Sequence, residues 1–325
     1  MVKPKVFVTR KILEEGMKMI TQDCDAVVWQ DELPPPHSEL IKRAKGMDGL
    51  LCLLTDNIDQ EVIESAGENL KVISNHAVGF DNIDIATASS RGIPVGNTPG
   101  ILTDATADFA FTLLLSCARR VIEADRYVRK GLWQTWSPDQ LLGADISGTT
   151  LGIIGFGRIG QAMVKRAAGF DMKILFHDPE FLGDFSNRNV CKVDLDTLLG
   201  SSDFISIHTP LNEQTRHMIN TDAINKMKPT AILINTARGA VVDPDALYHA
   251  LKNKRIRSAA LDVTDPEPIT MQNQLLELDN LLISPHIASA SVSTRNRMSI
   301  MAAENLIAGV QGKRLPNCVN PEIYS

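Results

Sequence analysis

The sequence has few aromatic residues, little net charge and no paired cysteines. Aromatic residues make up 5% of its 325 residues, and 33 basic against 39 acidic side chains give a formal net charge of −6 at pH 7. Nucleic-acid-binding proteins typically combine a basic surface with aromatic stacking residues, so we expect no nucleic-acid partner. The five cysteines lie far apart and form no CxxC motif. This spacing argues against a disulfide framework or a zinc site, and we therefore expect no metal and a cytoplasmic location.

Long hydrophobic segments are also missing. The most apolar stretch, residues 109–118, is ten residues long, which is about half the length of a membrane-spanning helix. Residues 5–9 have the pattern of a β-strand, and the apolar core and cleavage site of a signal peptide do not follow them. We therefore expect no membrane association.

Short apolar runs alternate with helical patterns along the chain. The runs lie at 5–9, 26–29, 49–53, 71–74 and 93–95, and again at 151–155, 173–177, 204–208, 231–235, 258–262 and 281–284. Such alternation is typical of βαβ units whose parallel sheets are covered by helices on both faces. Two longer helical patterns, 104–130 and 292–310, flank the second series. We predict a discontinuous substrate-binding domain, residues 1–98 and 291–325, and an inserted domain, residues 99–290.

A glycine-rich motif follows the first strand of the second series. Gly155, Gly157 and Gly160 form a G-x-G-x-x-G pattern before a helical pattern at 161–168. In this context the glycines permit a tight turn, close approach to a pyrophosphate and close helix–strand packing, and the pyrophosphate binds at the helix N-terminus. Together with the two series of alternating strands and helices, the motif predicts an α/β fold with two doubly wound parallel-sheet domains, in which a Rossmann-type cofactor domain is inserted in a flavodoxin-like substrate domain.

Asp178 follows the next strand, 18 residues after Gly160, close to the spacing of about 20 that is typical of a ribose-binding acid. A carboxylate there accepts hydrogen bonds from the ribose hydroxyls and repels a 2′-phosphate. Glu180 and Asp184 add negative charge, and the next basic residue is Arg188. We therefore predict NAD as the cofactor, with NADH preferred and NADP(H) as the alternative.

Polar groups follow three late strands of the second series: Arg238, Glu267 and His286. Reduction of a carbonyl by hydride produces an alkoxide, and histidine titrates close enough to neutral pH to protonate it. A carboxylate on the other ring nitrogen, for which Glu267 is the candidate, fixes the tautomer. Arg238 offers a planar fork for a substrate carboxylate. Together these residues predict reduction of a 2-oxo acid.

The chain resembles the D-isomer-specific 2-hydroxyacid dehydrogenases over essentially its whole length. The resemblance is carried by VGFDNID (78–84), NTP (97–99), LTDATAD (102–108), GFGRIG (155–160), HTPL (208–211), TARG (236–239), DVTDPEP (262–268) and PHI (285–287). It implies that Arg238, Glu267 and His286 are catalytic. It also implies cofactor contacts by Thr103, Gly155, Gly157, Arg158, Ile159, Gly160, Asp178, Thr209, Thr236, Asp262 and His286, with Asp262 at the nicotinamide carboxamide. The implied substrate contacts are Leu54, Arg238, His286 and the backbone N–H groups of Val78 and Gly79.

Within this family, segments 49–56, 70–74, 133–136 and 262–268 are similar to glyoxylate/hydroxypyruvate reductases. In such enzymes the residue matching Trp136 reaches into the neighbouring subunit's substrate site, which implies a homodimer. The resemblance to these reductases also implies that the product is glycolate or D-glycerate. Many of these reductases prefer NADPH and carry no acid at the position of Asp178, so this chain departs from them there.

Several alternatives stay open at the level of sequence. The substrate could instead be 2-ketogluconate, pyruvate or 3-phosphohydroxypyruvate, and the chain could be a non-catalytic NAD-sensing protein on the same fold. Asn75 stands where phosphoglycerate dehydrogenases usually carry an arginine, and Glu267 stands where formate dehydrogenases carry a glutamine. Both of those activities are therefore disfavoured.

Overall fold

The computed structural model describes residues 2–183 and 189–325. Its contacts divide the chain into unit 1, Met1–Leu102 with Ala290–Ser325, and unit 2, Thr103–Ser289. The expected boundaries fell after residues 98 and 290, so the observed ones lie four residues later and one residue earlier. The first difference arises because the segment up to Leu102 groups with unit 1, and the helix that begins at Thr103 belongs to unit 2.

Unit 1 contains a five-stranded parallel sheet with the order β2-β1-β3-β4-β5. Its strands are β1 (Lys5–Val8), β2 (Asp25–Val28), β3 (Gly49–Cys52), β4 (Val72–Asn75) and β5 (Val95–Gly96). The connecting helices are α1 (Glu14–Asp23), α2 (His37–Ala44), α3 (Gln60–Ser65) and α4 (Ile85–Ser90). The direction of winding reverses between β1 and β3, as in flavodoxin-like folds.

Unit 2 contains a seven-stranded parallel sheet with the order β12-β11-β10-β9-β6-β7-β8. Its strands are β6 (Thr150–Ile154), β7 (Lys173–His177), β8 (Val190–Lys192), β9 (Phe204–Ile207), β10 (Ile232–Asn235), β11 (Ser258–Leu261) and β12 (Leu281–Ile283). The helices are α5 (Thr103–Ala118), α6 (Val121–Arg129), α7 (Arg158–Ala168), α8 (Leu195–Ser201), α9 (Thr221–Lys226) and α10 (Pro244–Lys252). This is the Rossmann order, with the reversal between β6 and β9, so the fold predicted from the sequence is confirmed.

The last long helix, α11 (Val292–Val310), returns to unit 1, as the helical pattern predicted. Short 3₁₀ turns occur at Gly239–Val241, Gln274–Glu277 and Pro321–Tyr324. Close packing of α11 depends on glycine, because a Cβ on Gly309 would lie 2.4 Å from Val72 of β4 and one on Gly16 of α1 would lie 2.5 Å from the Ser299 carbonyl. No helix in the described residues is long and apolar enough to span a membrane.

The central strands β3, β4, β9, β10 and β11 are buried on both faces, which explains why they lack a polar–apolar alternation. In β9, Phe204 packs into one apolar cluster of unit 2, whereas Ile205 and Ile207 pack into the other. Unit 1 likewise has one cluster on each face of its sheet. The sequence-based prediction missed β8, a strand of only three residues at the sheet edge.

The single helix predicted over 104–130 is wrong, because the structure breaks it between α5 and α6. Arg120 has a φ of 53°, which ends the first helix. The carbonyl of Ala118 accepts the N–H of Ala144 at 2.7 Å, and Gly143 lies so close that a Cβ there would be 2.3 Å from that carbonyl. The segment after α6 thus donates to the Ala118 carbonyl, which in an uninterrupted helix would accept a hydrogen bond from the next turn. The irregular segment predicted at 131–147 is confirmed.

Candidate active site

The predicted site residues of unit 2 follow the carboxyl ends of its parallel strands, so they share one edge of the sheet. The glycine loop with Arg158 and Ile159 follows β6, Asp178 follows β7, Thr209 follows β9, Thr236 and Arg238 follow β10, Asp262 and Glu267 follow β11, and His286 follows β12. Ligands of open α/β sheets bind at this edge. Thr103 is the first residue of α5.

His286 and Glu267 are in direct contact. Nδ1 of His286 lies 2.5 Å from Oε1 of Glu267, and both side chains are about a quarter exposed, at 23% and 30%. A carboxylate only accepts, so Nδ1 carries the proton of this hydrogen bond. Nε2 is therefore the ring nitrogen that can exchange a proton with a substrate.

The turn that carries His286 is held by Asp262, whose side chain is 1% exposed. Its Oδ1 accepts the N–H of Ile287 at 2.9 Å and the hydroxyl of Ser284 at 2.6 Å, and its Oδ2 accepts the N–H of Ala288 at 2.7 Å. A carboxylate has about four acceptor sites, so these bonds use most of its capacity. Sequence reasoning missed this role, as well as that of Ser284, because these partners lie 22 to 26 residues away.

Arg238 lies in a turn shaped by Asn235, a fully buried residue that sequence reasoning also missed. Asn235 donates from Nδ2 to the Arg238 carbonyl at 2.8 Å and accepts the Ala237 N–H at 3.0 Å. The next residue, Gly239, lies against the β11 loop, since a Cβ on it would be 2.0 Å from the Thr264 carbonyl. Only glycine permits this approach, which brings the Arg238 turn against the segment that leads to Glu267. Arg238 itself donates from Nη1 to the Ala237 carbonyl.

The glycine loop fits a dinucleotide. Gly155 has a φ of 87°, and a Cβ on it would lie 2.7 Å from the His208 backbone, directly before Thr209. A Cβ on Gly160 would lie 2.2 Å from the Gly155 carbonyl, whereas one on Gly157 would meet nothing within 4 Å. Close packing at Gly155 and Gly160 and open space at Gly157 are the conditions under which a pyrophosphate can approach the backbone at the start of α7.

Two further observations fit a dinucleotide at this site. The hydroxyl of Thr236 is buried and has no hydrogen-bond partner within the described residues, so it can bind a ligand. Oδ2 of Asp178 accepts the N–H of Phe156 in the glycine loop at 2.8 Å, and Oδ1 accepts the N–H of Glu180 at 3.0 Å. Each oxygen keeps acceptor capacity for a ribose hydroxyl. Asp184 and Arg188, which entered the coenzyme prediction, lie outside the described residues.

The remaining predicted contacts lie in unit 1 and in the irregular segment of unit 2. In unit 1, Leu54 follows β3, and Val78 and Gly79 follow β4, all three partly exposed. Trp136 lies in the irregular segment of unit 2 and is 76% exposed. Over residues 2–183 and 189–325, no group of three or more His, Cys, Asp or Glu side chains is placed to hold a metal ion.

The doubly wound fold, the glycine loop and the histidine–carboxylate pair define the class of dinucleotide-dependent dehydrogenases. Residues 111–288 match the family model for the D-isomer specific 2-hydroxyacid dehydrogenase, NAD binding domain. The chain belongs to the D-isomer specific 2-hydroxyacid dehydrogenase family and carries its NAD-binding domain.

Relatives cover the whole chain. A glyoxylate reductase of Korarchaeum cryptofilum is 52% identical over 323 residues, which are 99% of this chain and 97% of the relative. The crystal structure of the TT0316 protein from Thermus thermophilus has a TM-score of 0.91 at 43% identity, covering 97% of this chain and 99% of that one. An NADPH-dependent glyoxylate/hydroxypyruvate reductase from Sinorhizobium meliloti, solved with NADP and malonate, has a TM-score of 0.85 at 29% identity, covering 98% and 97%.

Proposed function

We propose that this chain reduces glyoxylate or hydroxypyruvate to glycolate or D-glycerate, with NADH as the preferred coenzyme. Reduction of a 2-oxo acid is the reaction class of its family. The contact between His286 and Glu267, beside the turn that carries Arg238, is the observation that carries the proposal. Full-length relatives that are named glyoxylate reductases support the choice of substrate.

In the proposed mechanism, a bound reduced nicotinamide dinucleotide supplies the hydride. The guanidinium of Arg238 is proposed to bind the substrate carboxylate, which orients the neighbouring carbonyl. In unit 1, the family resemblance makes the backbone N–H groups of Val78 and Gly79 the candidates for binding a carboxylate. Protonated His286 then donates its Nε2 proton to the oxygen that becomes the hydroxyl group. Glu267 accepts the hydrogen bond from Nδ1–H throughout and thereby keeps the ring in one orientation.

The other parts of the dinucleotide site follow from the same arrangement. The N–H groups at Arg158, Ile159 and Gly160 begin α7 and would bind the pyrophosphate, because the first turn of a helix leaves such groups without intrahelical partners. Asp178 would accept hydrogen bonds from the adenosine ribose hydroxyls. Its negative charge would repel the 2′-phosphate of NADPH, which supports NADH as the preferred coenzyme. Thr103, Thr209, Thr236 and Asp262 are proposed to line the remaining cofactor.

A homodimer is part of the proposal, because α6 and the residues after it leave an apolar face uncovered. Helix α6 buries none of its residues. Val128, Leu132, Trp133 and Trp136 are each at least half exposed, and α5 and α6 line a groove of about 1260 Å³ in unit 2. Monomers rarely expose large contiguous apolar patches. A second copy of the chain is the proposed occupant, with Trp136 reaching its substrate site, as the family resemblance implies.

A cytoplasmic location completes the proposal. All five cysteines are unpaired, which is typical of proteins from reducing compartments. Cell fractionation with an antibody against the chain tests this point.

The experiment that tests the reaction is a substrate panel. Coenzyme oxidation is measured with glyoxylate, hydroxypyruvate, pyruvate, 2-ketogluconate and 3-phosphohydroxypyruvate, each with NADH and NADPH. We expect the highest kcat/KM for glyoxylate or hydroxypyruvate with NADH. A higher value for another acid would replace the proposed substrate. If no acid is reduced while the coenzyme binds, the chain is instead a dinucleotide-sensing protein.

A further inference from the structure

In unit 1, the sheet order reverses between β1 and β3, and ligands of such sheets bind outside the carboxyl ends of the strands at this point. Two loops emerge here. Residues 53–56 follow β3 and carry Leu54, and residues 76–82 follow β4 and carry Val78 and Gly79. The arrangement of their backbone polar groups determines what this edge can bind.

All three carbonyls of residues 77–79 are bonded within unit 1. The Ala77 carbonyl accepts the N–H of Thr98 at 2.9 Å. The Val78 carbonyl accepts Nδ2 of Asn97 at 2.8 Å, and the Gly79 carbonyl accepts Nδ2 of Asn75 at 2.9 Å. The C=O and N–H groups of a trans peptide point in opposite directions. Anchoring the carbonyls of Ala77 and Val78 therefore turns the N–H groups of Val78 and Gly79 the other way.

Two asparagines join this loop to the one after β3. Nδ2 of Asn75 also donates to Oδ1 of Asn82 at 3.0 Å, and Nδ2 of Asn82 donates to the carbonyls of Leu53 and Asp56, both at 3.1 Å. The two backbone carbonyls can only accept, so the nitrogen of Asn82 must face them and its oxygen must face Asn75. The orientation of both amides is therefore fixed by their partners.

The β3 loop is in turn anchored to β1. The carboxylate of Asp56 is 1% exposed, and its Oδ2 accepts the N–H of Leu53 at 2.7 Å and the hydroxyl of Thr9 at 2.5 Å. Thr9 directly follows β1. One continuous chain of hydrogen bonds thus runs across the reversal point, from Thr9 through Asp56 and Asn82 to Asn75.

We propose that Asn97 and Asn75 are positioning residues for a paired binding site for a small carboxylate, formed by the backbone N–H groups of Val78 and Gly79. Asn97 fixes the peptide that carries the Gly79 N–H, and Asn75 holds the other side of Gly79 through its carbonyl. Both amide hydrogens of Asn75 are used within the protein, so it acts through the loop and not by touching the ligand. Asn82 links the loop to the Leu54 turn and keeps the two in one arrangement. The inference rests on the proposed function for its choice of a 2-oxo acid as ligand.

The test compares Asn97→Ala and Asn75→Ala with the wild-type enzyme. Loss of an anchoring bond lets the peptide rotate, so we expect KM for glyoxylate to rise about tenfold, as for roughly one lost hydrogen bond. The chemical step uses groups of unit 2, so kcat and the Kd for NADH should stay within about twofold. Asn75 is fully buried; if its variant does not fold, Asn82→Ala, at a partly exposed position, removes the bonds that join the Val78–Gly79 loop to the Leu54 turn, and KM should rise in the same way.

The matched control is Asn57→Ala. Asn57 is an exposed asparagine just after the β3 loop, and its side chain donates to Asp59 at 3.1 Å and not to either loop carbonyl. Its KM should equal that of the wild type. An unchanged KM in both Asn97→Ala and Asn75→Ala, or a fall in kcat at constant KM, overturns the inference. A selective rise in KM supports it, because a general loss of fold would not raise KM alone.

Binding of oxalate, an unreactive small dicarboxylate, separates this inference from the proposed function. Calorimetry on the NADH complex gives Kd for oxalate with each variant. If the wild type reduces no 2-oxo acid but binds oxalate, the proposed reaction fails, and a weaker Kd in Asn97→Ala still supports the positioning role. If the wild type binds no carboxylate at all, both proposals are overturned.

Discussion

Asp262 fixes the backbone conformation of His286. The carbonyl of Asp262 accepts the N–H of His286 at 2.8 Å, while its carboxylate accepts the N–H groups of the two residues that follow. His286 has a φ of 54°, a left-handed conformation that costs a non-glycine residue about 1 to 3 kcal/mol. The bonds from Asp262 offset that cost and aim the ring at Glu267.

This relationship predicts the effect of Asp262→Asn. The amide keeps one acceptor oxygen but turns its NH₂ group toward a backbone N–H, so the His286 turn should shift. We expect kcat to fall about 10- to 100-fold, as for a displacement of roughly 1 Å at a catalytic group, with a smaller rise in the Kd for NADH because Asp262 is also proposed to line the cofactor. A large loss of NADH affinity at normal kcat would contradict the role of Asp262 in holding the His286 turn. Asp265→Asn, on the same loop, is the control.

Replacement of His286 by alanine should remove the proton donor and leave the coenzyme site intact. We expect kcat to decrease about 10²- to 10⁴-fold, and fluorescence titration should show normal NADH binding. Glu267→Gln should cause a smaller loss, because an amide oxygen can still accept from Nδ1. His249→Ala, an exposed histidine on α10, should retain full activity. Near-normal turnover of His286→Ala would exclude its proposed role.

Asp178→Ala should narrow the preference for NADH over NADPH. Removal of the carboxylate removes both a ribose acceptor and the repulsion of a 2′-phosphate, so the ratio of kcat/KM values for the two coenzymes should move about tenfold or more toward NADPH. Glu180→Ala removes a nearby exposed charge and serves as the control. An equal shift of this ratio in both variants would mean that the negative charge of the whole loop sets the preference. An unchanged ratio in Asp178→Ala would contradict the proposed role of Asp178.

Two histidines with lowered pKa values predict an acid-sensitive fold. Burial, assisted by the charge of Arg295, lowers the pKa of His76 to about 4, and burial lowers the pKa of His208 to about 3. The unfolded chain, with histidine pKa values near 6.5, then binds more protons than the folded one below that pH. The free energy of unfolding should therefore fall as pH drops from about 6.5 to 4, by up to about 1.4 kcal/mol per unit for each histidine.

Urea denaturation at several pH values measures this dependence. The hydroxyl of Ser299 donates to the Arg295 carbonyl, so it accepts from Nε2–H of His76 at 3.0 Å, and glutamine can replace that donor without titrating. His76→Gln should show a shallower pH dependence than the wild type, whereas His249→Ala should match it. If the free energy of unfolding depended on pH identically in the wild type and His76→Gln, a neutral, buried His76 would be contradicted.

The uncovered face of α6 predicts a dimer that a single charge disrupts. Light scattering should give the mass of two chains for the wild type. Val128→Asp places a charge on the exposed apolar face and should yield monomers, whereas Arg129→Ala, on the exposed side of the same helix, should not. Trp136→Ala should keep the dimer and raise KM. A monomeric wild type with full activity would contradict the proposed dimer.

The sequence by itself determined the order of the strands and helices, apart from the three-residue β8 and the break before α6, together with the glycine loop and the residue types of the site. These features depend on neighbours close along the chain. The run from Thr150 to Gly160 predicts a strand, a turn and a helix because apolar runs, glycine and helical periodicity act locally. The end of α11 at Val310 follows from the same kind of pattern.

Only the tertiary structure decided which polar groups meet. The sequence predicted the contact of Glu267 with the His286 ring, but it did not show that Asp262, five residues earlier, binds the backbone of the His286 turn. Asn82 and Asn97 lie in family motifs and Asn75 marks a departure from one, but the sequence did not show how their side chains connect the loops. The same holds for the break before α6, where Ala144 binds the carbonyl of Ala118. Hydrogen bonds between distant segments depend on how loops pack at a sheet edge, and local propensity carries no information about that packing.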